Sequence, residues 1–438
     1  MFPHARRTQM AAVVAVGALL ALTACSSSDD SDPEASSDTG KVSGEITVLT
    51  NRTDIVDTTF RDYAQSFNQV YPDVKVKFEA IKDYEGEVVT RMNTEDYGDV
   101  LLIPFSVNPT DLPNFFEPLG SVDELSPTYR FVKTEATLDG QSYGLAITGN
   151  AQGFVYNTKV WSDAGITELP KSTDEFLADL EAIKAKGAAI PLYTNYKDGW
   201  PLNQWENLRG TISGDPEAAN NLGKIDAPWA DGEEHAVWDG LLFDAVKQGL
   251  TEADPTTTNW DQSKKDLAEG RIGTMFLGSW AISQMQELAA DRADVDYMPF
   301  PNQVDGKFQS TVSGDYKNAI NVHSKNKAAA RAWLLWFADH SGYAHANGGI
   351  SPRIDGDMPD SLKTFTDLGV ELVELAPAEA GKESLVNDID SQSEIGLNAP
   401  DYRQRIIDAA RGATDETKQQ IFDDLNTRWA DARAAVEG

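Results

Sequence analysis

The chain has one cysteine in 438 residues, Cys25. No intrachain disulfide framework is therefore available to it. Basic residues are also scarce, with 37 Lys and Arg against 70 Asp and Glu. That balance argues against nucleic acid and against electrostatic docking on anionic lipid, whereas diffuse surface acid chiefly confers solubility. The five histidines are scattered without metal-ligand spacing, and no Gly-x-Ser-x-Gly, His-Glu-x-x-His or phosphate-binding glycine loop is present. Long apolar runs are missing as well. The longest, Met10 to Leu22, is too short to cross a bilayer as a permanent helix.

What is present begins with that run. Arg6 and Arg7 precede it and Cys25 ends it, the three-part layout of an export signal. The Leu22-Thr23-Ala24-Cys25 ending resembles the lipobox of bacterial lipoproteins, in which the cysteine becomes the lipidated first residue of the mature chain. The alternative is an ordinary signal cut near Ala24 with an incidental cysteine. Arg6-Arg7 invites a twin-arginine reading, but Gln9 stands where that signal carries an apolar residue, so general secretion is the expected route. Residues 1–24 are thus read as a signal peptide. Residues 25–40, nearly all Ser, Asp, Thr, Gly, Pro and Glu, are read as a tether, since they cannot bury enough apolar area to offset chain entropy. Removing residues 1–24 takes away two arginines and no acid, leaving 35 basic against 70 acidic residues.

The remaining 400 or so residues exceed the size at which one core keeps growing, so two lobes are expected. Ile46, Val48 and Thr50 alternate as in a strand, and Asp57 or Thr58 can cap a helix through Phe60, Tyr63, Phe67 and Val70 that Pro72 stops. Val74 to Phe78 returns to period two, Tyr84 to Met92 is helical, and Val100 to Ile103 suits a strand buried on both faces. This is βαβαβ, the unit of a parallel sheet. Ligands of such sheets sit beyond the carboxyl ends of the strands, which here deliver Asn51 to Asp54, Pro104 and Phe105. The second half carries strands at Phe154 to Tyr156, Ile190 to Tyr193 and Arg271 to Leu277. Its helices are read at Phe176 to Ile183 behind a Ser172/Glu175 capping box, Glu233 to Gln248, Asp261 to Glu269 and Lys325 to Asp339. From Pro359 onward the pattern is mostly helical.

Several segments, in order, resemble the family 1 extracellular solute-binding proteins, the sugar-binding lipoproteins of ATP-driven importers related to maltose-binding protein. They are Tyr143-Gly144-Leu145, Tyr156-Asn157 with Lys159 and Trp161, Ala164-Gly165-Ile166, Thr173 to Phe176, Gly278-Ser279-Trp280, Asn321 to Phe337 and Gly348 to Pro352. Ser313-Gly314-Asp315 departs slightly from the family's paired glycines. The resemblance implies a two-lobed periplasmic-binding-protein-like α/β fold of type II, each lobe a mainly parallel sheet flanked by helices, with a ligand cleft between. It places residues 41–147 plus 316–349 in one lobe and 148–315 plus 350–438 in the other. It also implies a monomer without cofactor, held by its lipid on the outer face of the cell membrane, that delivers a carbohydrate to the permease subunits of an ABC transporter.

A pyranose offers a C–H face that packs on a flat ring and rim hydroxyls that need in-plane partners. Trp200 and Trp205, beside Asp198, Asn203 and Asn207, and Trp280, where a strand turns into a helix, are the candidate platforms. Trp333 and Trp336 fit the buried face of a helix instead. Arg52 can fork across two hydroxyls and Asp54 can accept from a pair, although Asn51 to Asp54 also reads as a turn that satisfies its own backbone. Gly314 and Asp315, at an expected lobe crossing facing the cleft, are further candidate contacts. Tyr84, Asn150 and Arg353 are carried by the resemblance. Asp388, Asp390 and Glu394 lack the glycine of a calcium loop and read as solvated acids. A carrier for a glycerophosphodiester or polyol, and a secreted glycoside hydrolase, are the alternatives; seventy acids make chance carboxylate pairs certain.

Overall fold

A computed structural model describes residues 41–437; the signal, Cys25 and the tether lie outside the described residues. The expected βαβαβ opens the fold. Strand β1 (Gly44–Thr50) leads to helix α1 (Thr59–Val70), β2 (Val74–Ala80), α2 (Tyr84–Arg91) and β3 (Val100–Leu102). Both β2 and β3 pair in parallel with β1, Ile46 opposite Val76 and Val48 opposite Val100. Helix α1 buries Phe60, Tyr63 and Phe67, the 3–4 spacing that places one face on the sheet. Phe67 meets Trp333 and Trp336 of the helix Lys327–His340 edge-on at 5.2 and 5.6 Å, so both indoles belong to this core.

Two more strands complete that sheet, Lys317–Ile320 against β3 and Leu145–Ala146 beyond it, both pairings antiparallel. The second sheet is built around Gly149–Asn157, which pairs antiparallel with Ile272–Gly278, Val295–Pro299 and Lys307–Gly314. Ile190–Leu192 adds to it in parallel, as does the short strand Glu371–Val373 that interrupts the helical C-terminal portion. Mainly parallel pairing therefore holds for β2-β1-β3 and not for the rest. The reason is directional: a strand entering a lobe from a crossing runs away from the cleft, opposite to neighbours whose carboxyl ends point at it.

The chain passes between the sheets from Ala146 to Gly149 and from Gly314 to Lys317, and again near Gly349. These segments are hydrogen-bonded to one another: Gly149 and Ile350 exchange both amide bonds, the Asp315 amide donates to Thr148 O, and that of Ile147 to Tyr316 O. Beside them Glu135 accepts from the Gly314 amide at 2.8 Å and pairs with Lys317 at 2.6 Å, while burial holds its carboxyl above the usual range. Gly314 is a close-packing position, since a Cβ there would lie 2.6 Å from Glu135 Oε2 and 2.9 Å from Ala146 Cβ.

The helix Thr173–Lys186 starts and stops as expected, on Ser172, whose hydroxyl accepts from the Glu175 amide, and on Gly187 in the left-handed region. The reciprocal half of the capping box is shifted by one residue, because Glu175 accepts from the Lys171 amide. Asp390 is occupied too: its carboxylate accepts from the amides of Gly396 and Leu397.

Candidate functional site

A cleft of about 1070 Å³ opens where the carboxyl end of β1, the crossing segments and the helix Ala281–Gln286 meet. Trp280 forms part of its wall, and the Gly278-Ser279-Trp280 sequence explains how. Gly278 ends its strand without a side chain, and a Cβ there would lie 2.6 Å from Trp280 Nε1. Ser279 then ties the turn to the first crossing, its amide donating to Ala151 O and its hydroxyl accepting from the Ala151 amide at 3.0 Å. The indole is thereby pinned over the strand end, where it lines the cleft. Behind it stand Trp200 and Trp260, at 5.8 and 5.9 Å between ring centroids, themselves edge-on at 4.9 Å.

Opposite, Arg52 and Asp54 stand on the loop after β1. The Arg52 fork is spent on Asp54, Nε to Oδ1 at 2.9 Å and Nη2 to Oδ2 at 2.7 Å, while Nη1 donates to Tyr343 Oη at 3.0 Å and Asn347 Oδ1 at 2.5 Å. The guanidinium lowers the Asp54 carboxyl below its ordinary range. The loop also satisfies its own backbone, with the Arg52 amide on Thr50 Oγ1 and that of Thr53 on Asn51 O, whereas the cap of α1 is Thr58. Arg52 therefore joins this loop to the segment after the helix Lys327–His340 rather than offering an open fork, and Asp54 keeps its outer side free, 60 % exposed.

The floor is formed by the crossings. Asn150 and Asp315 both line it, and burial raises the Asp315 carboxyl above its ordinary range against the opposing pull of the Tyr316 amide and Lys317. Thr148 Oγ1 and Asn51 Oδ1 are buried with no hydrogen-bond partner in the protein, and both residues line the cleft. Orphaned polar atoms of this kind are costly unless something in the cleft pairs with them. Five acids line the cleft, Asp54, Glu287, Asp296, Asp315 and Asp360, against Arg52, Arg292 and Lys363. Of these cations, Arg52 and Lys363 already carry carboxylate partners, Asp54 and Asp367.

Five expected contacts do not line this cleft, and one of them is Trp200, which packs against Trp280 at 5.8 Å instead. Trp205 is 3 % exposed, packed on Phe276 at 4.7 Å and Phe154 at 5.9 Å within the core of its lobe. Tyr84 is buried, its hydroxyl donating to Leu102 O and accepting from the Leu102 amide, so it braces α2 on β3. Arg353 is held outside the cleft by Asp339 and Asp355. Gly314 serves the crossing, as described above. The sequence reading missed Thr148, Tyr343, Asn347, Ser283, Gln284 and Thr364, all of which line the cleft. Only Thr148, next to Gly149, and Asn347, next to Gly348-Gly349, stood beside a signal that could have found them.

Residues 52–344 match the profile of the bacterial extracellular solute-binding proteins. The chain belongs to that family. Among solved structures, this solute-binding protein is 37 % identical to a binding protein of an ABC transporter from Bifidobacterium animalis subsp. lactis in complex with mannobiose, at TM-score 0.77 over 90 % of this chain and 95 % of the other. A manno-oligosaccharide-specific solute-binding protein of the same organism, in complex with mannotriose, is 36 % identical at TM-score 0.77 over 91 % and 96 %. The diacetylchitobiose binding protein DasA of Streptomyces coelicolor is 27 % identical over 363 residues, 79 % of this chain and 82 % of the relative. The two-lobed α/β fold is that of these solved neighbours.

Proposed function

We propose that this solute-binding protein captures a neutral oligosaccharide in the cleft walled by Trp280, without altering it, and delivers it to the permease of an ABC importer. The observation that carries the reading is the indole of Trp280 lining the same cleft as the polar side chains of Asn51, Thr148, Asn150 and Asp315. A sugar offers a counterpart to both, a C–H face for the ring and hydroxyl protons for the oxygens. The surplus of acids on the wall argues against a phosphodiester, whose charge would need converging free cations. Manno-oligosaccharides are the first candidates, because the solved relatives at 36 and 37 % identity carry mannotriose and mannobiose.

The lobes we propose are residues 41–147 plus 316–349 and 148–315 plus 350–438, closing on the ligand about the three crossings. Cys25 is proposed as the lipid anchor, and Cys25→Ser should then release an unprocessed or soluble exported protein; unchanged membrane retention would overturn that part.

A melting screen of the mature chain across manno-, chito-, malto-, xylo- and galacto-oligosaccharides tests the function. A ligand bound a hundredfold above its dissociation constant stabilises the folded chain by about 2.7 kcal/mol. One sugar family should therefore raise the melting temperature and be recovered intact. Hits confined to phosphate esters, or cleavage of a hit, would refute the reading.

A further inference from the structure

Phe105 is an aromatic residue left in water, 65 % exposed. It is nevertheless not free to turn away. Its ring lies against that of Tyr316 at 4.4 Å between centroids and 33° between planes. Both residues are fastened by one carboxylate: Glu85 accepts from the Phe105 amide at 3.1 Å and from the Tyr316 hydroxyl at 2.7 Å. Tyr316 is in turn fixed from behind by Tyr84, edge-on at 5.9 Å, and its carbonyl accepts from the Ile147 amide at 2.9 Å. Tyr316 lines the cleft, so Phe105 continues that wall outward from the lobe that carries Arg52.

A large exposed apolar ring costs free energy in an unliganded protein, and packing it on a second ring with backbone and carboxylate restraints lowers the entropy lost when something stacks on it. We propose that Phe105, backed by Tyr316 and locked by Glu85, is an outer stacking platform for a further pyranose ring of a longer oligosaccharide. This rests on the reading of the cleft as an oligosaccharide site. Trp280 and the buried acceptors hold the inner rings; Phe105 adds selectivity for length.

Calorimetric titration of the mature chain with mannobiose, mannotriose and mannotetraose provides the test. Phe105→Ala should leave the mannobiose dissociation constant within about twofold and weaken the longer saccharides about tenfold, a change of about 1.4 kcal/mol. Phe105→Tyr should restore wild-type values, since it keeps the ring. An equal loss at every length, or no loss at any, would overturn the platform. So would an uptake defect in cells with all three affinities intact, which would make Phe105 a contact for the membrane partner. A wild-type chain that binds none of the three removes the parent reading for this sugar class and the platform with it, whereas a failure confined to Phe105→Ala touches the platform alone.

Discussion

The hydroxyl of Thr148 occupies the space in which residue 349 would otherwise carry a side chain: a Cβ on Gly349 would lie 1.9 Å from Thr148 Oγ1 and 3.2 Å from Gly149 O. Gly349→Ala should therefore destabilise the chain by about 1 to 3 kcal/mol, the cost of overpacking a close contact. The cost should be smaller in a Thr148→Ala background, which removes the 1.9 Å contact and leaves the Gly149 carbonyl and the Cβ of residue 148, each at 3.2 Å. Melting curves of the four proteins give the coupling. Equal costs in both backgrounds would show that the two crossings do not press on each other.

Arg52 links two segments far apart in sequence, so its removal should be felt in the cleft before it is felt in the fold. Arg52→Ala is expected to weaken ligand binding about tenfold, roughly 1.5 kcal/mol, as for hydrogen bonds that involve a charge. Arg52→Lys should recover little, because one ammonium cannot hold Asp54 bidentately and reach Tyr343 and Asn347 as well. Full recovery by lysine would mean that charge alone matters there.

The two tryptophans separate by where the loss appears. Trp280→Ala should cost about 1 to 3 kcal/mol of binding, the range for a stacked aromatic anchor, with the unliganded melting point little changed. Trp205→Ala should cost about 3 to 5 kcal/mol of stability, as for a large core side chain. Calorimetry and unliganded melting on both variants decide, and a reversal of the two profiles would exchange their roles.

The cleft floor should leave a signature in pH. Burial raises the Asp315 carboxyl above its ordinary value of 3.8, so the folded chain keeps this proton after the unfolded chain has released it. The associated stability is fully present below the unfolded value and is lost as pH rises through the folded one. Asp315→Asn abolishes that titration and retains an oxygen to accept from the Tyr316 amide. The melting temperature of the variant minus that of wild type should therefore increase from pH 4 to pH 7. A difference that is flat or falls would contradict the buried placement.

Much of this was legible in the chain. The period-two and period-3.6 runs of residues 46–103 gave the β-α-β-α-β order, and the carboxyl-end rule carried Arg52 and Asp54 to the cleft from there. Gly278-Ser279-Trp280 worked because its three parts act locally: a bare strand end, a tie and a ring. Trp205 was misplaced because nothing near it in sequence buries it; Phe154 and Phe276 arrive from other strands. Tyr84 and Arg353 failed in the same way, each satisfied by groups that only the fold brings close, Leu102 for one and Asp339 for the other. Tyr343 and Thr364 stand in segments without any motif, and a polar residue on a cleft wall has the same local signature as one on an outer surface.

The Trp200, Trp260 and Trp280 indoles stand within 6 Å of one another, and only Trp280 lines the cleft. At such separations excitation absorbed by any one of them is shared among the three before it is emitted. A solute that covers Trp280 thus alters the light from the whole trio, including two chromophores it never touches. On the proposed reading of the cleft, filling it should therefore change the emission of the unlabelled chain against the background of its seven other tryptophans.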